Sequence, residues 1–331
     1  MLRDEFEWIK SITPAHSHQK ELLMGIGDDA ALWSVDENMD QVVCVDTMVE
    51  GVHFTRDTMS PGQVGHKALA VNLSDIAAMG AIPQFYLVSI AISQDWTEEE
   101  LLAIYEGMGQ LANTFKTDLI GGDTVSTNGP IVLTVTVIGK VETGKQLYRK
   151  NAKPDDVVFL TGATGDSSAG LQLLLDKTRQ HTFNIEEATL TLQHQMPQPH
   201  IKQGRLLAKS GFRIALNDVS DGIASELNEI AEASNVTIHI EEETLPVSSV
   251  LKRYSKDERL NHQLFGGEDF VLVGTMANQD FIQISSEFAE HSLPIYKIGK
   301  VMKAGKAAVY LNRDQQNELL AKKGFNHFRE R

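Results

Sequence analysis

Aspartates set among glycines and other small residues recur along the chain. They occur in GIGDD, which ends in Asp28 and Asp29, in VDT at Asp46, in NLSD at Asp75, in GGD at Asp123, and in DVSDG, with Asp218 and Asp221. Apolar, strand-like or helical segments run up to nearly every one. A carboxylate held beside an apolar element is costly unless it is paired or coordinates a cation. The fold must therefore bring these element ends together around something strongly positive. A cluster of Mg²⁺ ions suits them, because Mg²⁺ takes oxygen ligands, is held by one or two carboxylates at a time, and keeps positions for phosphate oxygens.

With 331 residues the chain is long for one core, and two domains are expected. No apolar run approaches the roughly 20 residues that span a bilayer. The start, MLRDEFEWIK, alternates charges and lacks the apolar stretch of a secretory signal. Cys44 is the only cysteine, which excludes an internal disulfide and any site built on several thiolates. These features place the protein in the cytoplasm, with no membrane partner. A net charge of −15 argues against a nucleic-acid partner, whose binding needs basic contacts to phosphate. It does not argue against a phosphorylated small molecule bridged by divalent cations.

Along the chain, the valine-rich run Gln41–Val45 predicts a buried strand ending at Asp46. A helix is expected over roughly Val64–Met79, with Asn72, Asp75 and Met79 on one face, ended by Gly80 and Pro83. Phe85–Ile92 reads as a strand. Thr97 and Glu100 form a capping box, and Leu101, Ile104, Tyr105, Met108, Leu111 and Phe115 give the following helix its stripe. Leu119 and Ile120 lead into Gly121-Gly122-Asp123, and Ile131–Ile138 alternates as a strand. The alternation of strand and helix indicates an α/β domain.

The polar stretch Glu142–Pro154 is the expected boundary, giving an N-terminal domain over residues 1–146 and a C-terminal one over 147–331. The second half opens with a strand at Val157–Leu160, the loop TGATGDSSAG and a helix from about Ser168. Pro199 and Gly211 frame another helix. A short strand, Arg213–Leu216, precedes DVSDG, after which Ile223–Ala233 is helical. Gly266-Gly267-Glu268-Asp269 leads into the apolar run Phe270–Val273.

Each motif has a plainer reading beside the chemical one. Asp28 and Asp29 after Gly27 also suit a turn. Asp75 lies in an almost wholly apolar helix (Leu69, Val71, Leu73, Ile76), which favours metal over a local kink. In DVSDG either Ser220 or Asp221 can serve as a helix N-cap, whereas Asp218 lies upstream of that role. TGATGDSSAG lacks the Gly-Lys-Ser/Thr ending of a P-loop and is not assigned to ATP. Arg149 is either a phosphate-reaching cation or a solvated linker charge. His53 alone carries little weight. Glu268 and Asp269 after a double glycine look site-like, and Cys44 reads as a small packed hydrophobe. No activated serine or cysteine nucleophile stands out.

Taken in order, GIGDDAA, VDTMVEGVHF, KALAVNLSDIAAMGAIP, LIGGDT, TGATGDSSAGL, NDVSDG and GGEDF resemble the thiamine-monophosphate kinase family, within the superfamily of ATP-dependent aminoimidazole ribonucleotide synthetase. The resemblance covers about Phe6 to Phe328. It implies two α/β domains and a homodimer whose N-terminal sheets pair into a shared barrel. The implied reaction is transfer of the ATP γ-phosphoryl group to thiamine monophosphate. By motif position, Asp29, Asp46, Asp75, Asp123, Asp218 and Asp221 would hold several Mg²⁺ ions. Gly122, Asp123, Arg149 and Ser220 would touch ATP. His53, Glu268 and Phe325 would contact thiamine monophosphate.

The chain departs from the family pattern in three places. Cys44-Val45 stands before Asp46 where hydroxyl residues are usual. Lys153-Pro154-Asp155-Asp156 replaces Lys-Pro-Gly-Asp, and Glu268-Asp269-Phe270-Val271 replaces Glu-Asp-Tyr-Glu. Related superfamily activities that need a reactive N-terminal or a C-terminal cysteine do not fit, and neither does a nucleotide sensor if turnover requires an acceptor.

Overall fold

The computed structural model describes residues 5–26, 31–303 and 306–323. Two units emerge: Met1–Ile76, Ala81–Gly144 and Lys177–Thr182 form the first, and Ala77–Gly80, Lys145–Asp176 and Phe183–Arg331 the second. Each is a mixture of helices and sheet.

The first unit begins with α1 (Glu5–Ile12) and a small antiparallel pair, β1 (Leu22–Met24) and β2 (Leu32–Trp33). There follow β3 (Met39–Val49), α2 (Pro61–Ala78), β4 (Ile82–Ser93), α3 (Glu98–Phe115), β5 (Asp118–Thr127) and β6 (Val132–Glu142). The four longer strands order as β3-β6-β4-β5, antiparallel except for the β4–β5 pair. The helix α3 starts where its sequence says: Thr97 Oγ1 accepts from the Glu100 amide at 3.2 Å, and Glu100 returns the bond to the Thr97 amide at 2.9 Å. Its stripe, Leu101, Ile104, Met108 and Leu111, is buried. Glycines let α2 and α3 meet backbone to backbone. A Cβ on Gly65 would lie 1.8 Å from the Ile104 carbonyl oxygen, and one on Gly107 would lie 1.9 Å from that of Gly62.

Two strands differ from the sequence expectation. β3 does not end at Asp46 but runs on to Val49, because Thr47, Met48 and Val49 keep pairing with Thr134, Leu133 and Val132. It is an edge strand rather than a buried one, with Val43 and Val45 69% and 58% exposed. Likewise β5 passes straight through Gly121-Gly122-Asp123. The glycines there mark close approach rather than a turn: a Cβ on Gly122 would lie 2.0 Å from the Val88 carbonyl oxygen of the neighbouring strand.

The second unit carries β7 (Val157–Leu160), α4 (Asp166–Lys177), α5 (Ile185–Gln195), α6 (Ile201–Ser210), β8 (Ile214–Asp218), α7 (Ile223–Ser234), β9 (Thr237–Glu241), α8 (Lys256–Phe265), β10 (Leu272–Met276), α9 (Asn278–Glu290), β11 (Tyr296–Met302), β12 (Ala308–Arg313) and β13 (Gln316–Leu319). Its seven strands order as β13-β12-β9-β11-β7-β10-β8, with only β12 and β9 parallel. Val158, Leu160, Ile223, Leu227, Ile238, Val273 and Val309 belong to its core.

Gly211, left-handed at φ 72°, caps α6 as its position after the helix predicts. At α7 the expected cap is overturned. The N-cap is Gly222 at φ 98°, with no side-chain capping bond, so neither Ser220 nor Asp221 fills that role. Gly222 is required there because a Cβ would meet the Leu264 and Gly266 carbonyl oxygens at 2.8 and 2.9 Å. Within the apolar run from Phe270 the strand starts only at Leu272, since Glu268 and Phe270 hold φ of 67° and 51° and cannot join a ladder.

Candidate functional site

In the first unit, Asp46 on β3 and Asp75 on α2 come together. Their carboxyl groups are in hydrogen-bonding contact, and burial pushes Asp46 above the usual carboxylate range while the Asp75 contact pulls it down. Two carboxyls this close cannot both hold full charge unless a proton or a cation lies between them. Cys44, two residues before Asp46, donates from Sγ to the Asn72 carbonyl oxygen at 3.3 Å. Burial, then the charges of Asp75 and Asp46, push its thiol far up, so it is a packed neutral group. Asn72 lies one turn before Asp75, fully buried, and its side-chain oxygen lacks a hydrogen-bond partner.

Strand register separates the remaining acid of this unit. Asp46 shares a row with Val135, Val88 and Gly122, whereas Asp123 shares the next row with Ser89, Thr134 and Thr47. Adjacent rows leave a sheet on opposite faces. The structure thus gathers Asp46, Asp75 and the bare backbone of Gly122 on one face and sends Asp123 to the other. Asp29, with Asp28, lies outside the described residues, as does Phe325. Among the described residues, no set of three or more His, Cys, Asp or Glu side chains is gathered closely enough to hold a metal ion by itself.

His53 sits in a tight turn off the end of β3. Its Nδ1 accepts from the Val49 amide at 3.0 Å, which puts the proton of the neutral ring on Nε2. The turn is braced from outside: Trp96 Nε1 donates to Glu50 at 3.0 Å, and the Arg56 guanidinium stacks 4.3 Å from the Trp96 ring centre.

In the second unit DVSDG is organised by Arg149 together with Glu226 and Glu229, two acids that sequence reasoning passed over. Arg149 Nε donates to Asn217 Oδ1 at 2.9 Å, and its Nη1 pairs with Glu229 at 2.8 Å. The Asn217 amide donates in turn to Glu226 Oε2. Glu226 Oε1 accepts from Ser220 Oγ at 3.2 Å and from the Asp221 amide at 3.0 Å. Asn217, Asp218 and Glu226 are all buried. Burial first, and then the nearby charge of Asp218, push the Glu226 carboxyl up to about 8. The signal was present in the sequence: Glu226 lies among Ile223, Leu227 and Ile230 on one helical face, the same anomaly that singled out Asp75.

The GGEDF turn is stitched onto this loop. Glu268 and Phe270 donate from their amides to the Ser220 and Val219 carbonyl oxygens at 2.7 and 2.9 Å. Asp269 reaches the other way, accepting from the Gly165 amide at 2.7 Å and the Ser167 amide at 3.2 Å at the start of α4. Burial pushes its carboxyl up to about 8 against the pull of those donors. TGATGDSSAG therefore directs backbone donors at the start of α4 to the protein's own Asp269 carboxyl rather than leaving them open to a ligand. Glu268 lies 3.3 Å from Nδ1 of the buried His194, which is also 3.2 Å from Ser167 Oγ.

Comparison with known proteins finds relatives over nearly the whole chain. The family described as AIR synthase related protein matches over its N-terminal domain at residues 27–141 and its C-terminal domain at 153–312. Thiamine-monophosphate kinase of Bacillus subtilis is 51% identical, with 98% of this chain and all of that protein covered. The Escherichia coli K12 protein of the same name is 36% identical, with 94% of each covered. A crystal structure of thiamine-monophosphate kinase from Stenotrophomonas maltophilia superposes with a TM-score of 0.83 at 33% identity, covering 92% of this chain and 95% of that one. AaThiL complexed with AMPPCP and TMP superposes with a TM-score of 0.78 at 30% identity, covering 99% of both chains.

Proposed function

The chain belongs to the thiamine-monophosphate kinase family of AIR synthase related proteins and is an enzyme of that class, and from this premise we propose a specific reaction. The γ-phosphoryl group of ATP passes directly, in line, to the phosphate of thiamine monophosphate, giving thiamine diphosphate as the last step of its synthesis. The relative that carries both AMPPCP and TMP supports this pair of substrates.

The observation that carries the chemistry is the contact between Asp46 and Asp75. Together with the orphaned buried oxygen of Asn72, these two carboxyls fit a hard divalent cation. Asp46 and Asp75, with Asp29, would hold Mg²⁺, while Asp123, on the opposite face of the sheet, and Asp218 and Asp221 would hold further ions rather than this one. Bound there, Mg²⁺ would screen the two anions from each other and stabilise charge on the transferring group.

The chain's own residues supply the rest. The acceptor is a phosphate monoester whose second pKa is about 6, so near neutral pH it is a dianion and needs no general base. Gly122, Asp123, Arg149 and Ser220 would bind ATP, Arg149 offering its guanidinium to phosphate oxygens. His53, with its proton on Nε2, would donate to the acceptor phosphate, and Glu268 and Phe325 would complete that contact. No nucleophilic side chain intervenes.

We also propose that the protein is a homodimer formed through the four-stranded sheet of the first unit. Val43, Val45 and Val125 are 69%, 58% and 51% exposed, an apolar surface that suits a partner sheet.

The test is product analysis with ATP, Mg²⁺ and thiamine monophosphate, with free thiamine as control. Thiamine diphosphate should form only from the monophosphate and stop with EDTA. ATP binding without product would overturn the reading, and a trapped phosphoprotein would overturn direct transfer.

A further inference from the structure

We propose that Asn217 and Glu226 are positioning residues for phosphoryl transfer, a buried relay whose hydrogen-bond polarity sets Arg149 in register with Ser220 and Asp221. The proposal rests on the reading of Arg149 and Ser220 as nucleotide contacts.

The polarity is locked at both ends. An arginine Nε can only donate, so Asn217 must turn its oxygen to Arg149 at 2.9 Å and its amide to Glu226. The amide of Asp221 can only donate as well, and it reaches Glu226 Oε1 at 3.0 Å, beside Ser220 Oγ at 3.2 Å. Glu226 must then accept from Asn217 at Oε2 and from the Asp221 amide at Oε1, and any proton it carries can face only the Ser220 hydroxyl. Asn217 and Glu226 are each only 2% exposed. Water cannot substitute for a lost partner there, and an unmatched group carries its full desolvation cost. The relay thus links a cation assigned to ATP, a hydroxyl assigned to ATP and an aspartate assigned to metal. Residues from the 149 turn, the end of β8 and the first turn of α7 are held as one piece.

A surface arginine would ordinarily sample many rotamers. Here the Nε bond to Asn217 fixes the plane of the guanidinium, while Glu229 takes Nη1 at 2.8 Å. Orientation of this kind acts on nucleotide binding and alignment, not on the acceptor.

The polarity argument gives a specific test in the full-length protein. Glu226→Gln sets an amide against either the Asn217 amide or the Asp221 N–H, two donors facing each other. Asn217→Asp sets two carboxyl groups face to face, a pair that holds together only by taking up a proton and that repels once both are ionised. The double exchange, N217D with E226Q, restores every donor to an acceptor at unchanged net charge. In steady-state assays with ATP and thiamine monophosphate, each single variant should raise KM for ATP about tenfold or more, with KM for thiamine monophosphate little changed. The double variant should recover most of that loss.

Unchanged KM for ATP in both single variants would overturn the relay. So would losses confined to Tm, or a double variant no better than the worse single one. If a single variant fails to fold, the double alone decides: a folded protein with near-normal KM for ATP supports the relay, and a folded one without it does not. If the unsubstituted protein makes no thiamine diphosphate, the acceptor assignment fails separately, and the same variants are read by Kd for an ATP analogue with Mg²⁺.

Discussion

At the scale of single residues, the protein shows how a carboxylate out of place announces a site. Asp75 interrupts an apolar helix, and the structure sets it against Asp46. Replacing it by asparagine keeps the size and removes one of two mutually repelling charges. Asp75→Asn should therefore leave Tm unchanged or slightly raised, while kcat falls by about two orders of magnitude or more. Circular dichroism and a coupled ADP assay together check this, and near-normal turnover in a folded variant would remove Asp75 from the proposed metal site. The acid type at each position could be read from sequence, but facing could not. Asp46 and Asp123 carry similar motifs, yet one step of strand register sends them to opposite faces of the sheet. One departure from the family pattern resolves at this scale too. Asp155 stands where glycine is usual and adopts φ 72°, a left-handed conformation that aspartate tolerates better than most residues.

Elements were legible where a local rule had no competitor. The capping box at Thr97 and the glycine end at Gly211 depend on a few neighbouring atoms, and both appear as the sequence predicts. Ser220 and Asp221 suited a helix cap equally well, but the chain there passes so close to Leu264 and Gly266 that Gly222 takes the position. The same kind of closeness governs α2 and α3, and it separates two glycines that look alike in sequence. Gly65 faces the Ile104 carbonyl oxygen at 1.8 Å from an added Cβ, whereas Gly109 has nothing within 4 Å. Gly65→Ala should force the helices apart, shift α2 with its Asp75, and cost about 3 kcal/mol or more. Gly109→Ala, in the interior of α3, should be neutral or stabilising by up to about 1 kcal/mol. Thermal or urea unfolding of the two variants measures the contrast, and equal effects would mean that the helix crossing is looser than the structure shows.

On the scale of the whole molecule, the first unit leaves a question that the chain by itself does not close. A sheet with one face on helices presents polar side chains on the other when that face meets water. In β3 the outward positions include Val43 and Val45, both apolar and open, between the polar Gln41 and Thr47. Sequence alone read this run as buried, and that reading becomes consistent only if a second copy covers it. Leu87 lies in the same cross-strand row as Val45 and Thr136, and Val125 follows on the far edge. The open apolar surface thus has two parts, Val43, Val45 and Leu87 on one side of the polar row Thr47, Thr134, Ser89 and Asp123, and Val125 on the other. Val45→Lys places a charge in the first of these parts, where burial against a partner would leave it unpaired. Light scattering at micromolar concentration should give twice the chain mass for the unsubstituted protein and the single-chain mass for the variant. A monomeric unsubstituted protein would show that the open valines serve something other than a second copy. A dimeric variant would place the interface on another surface of the chain.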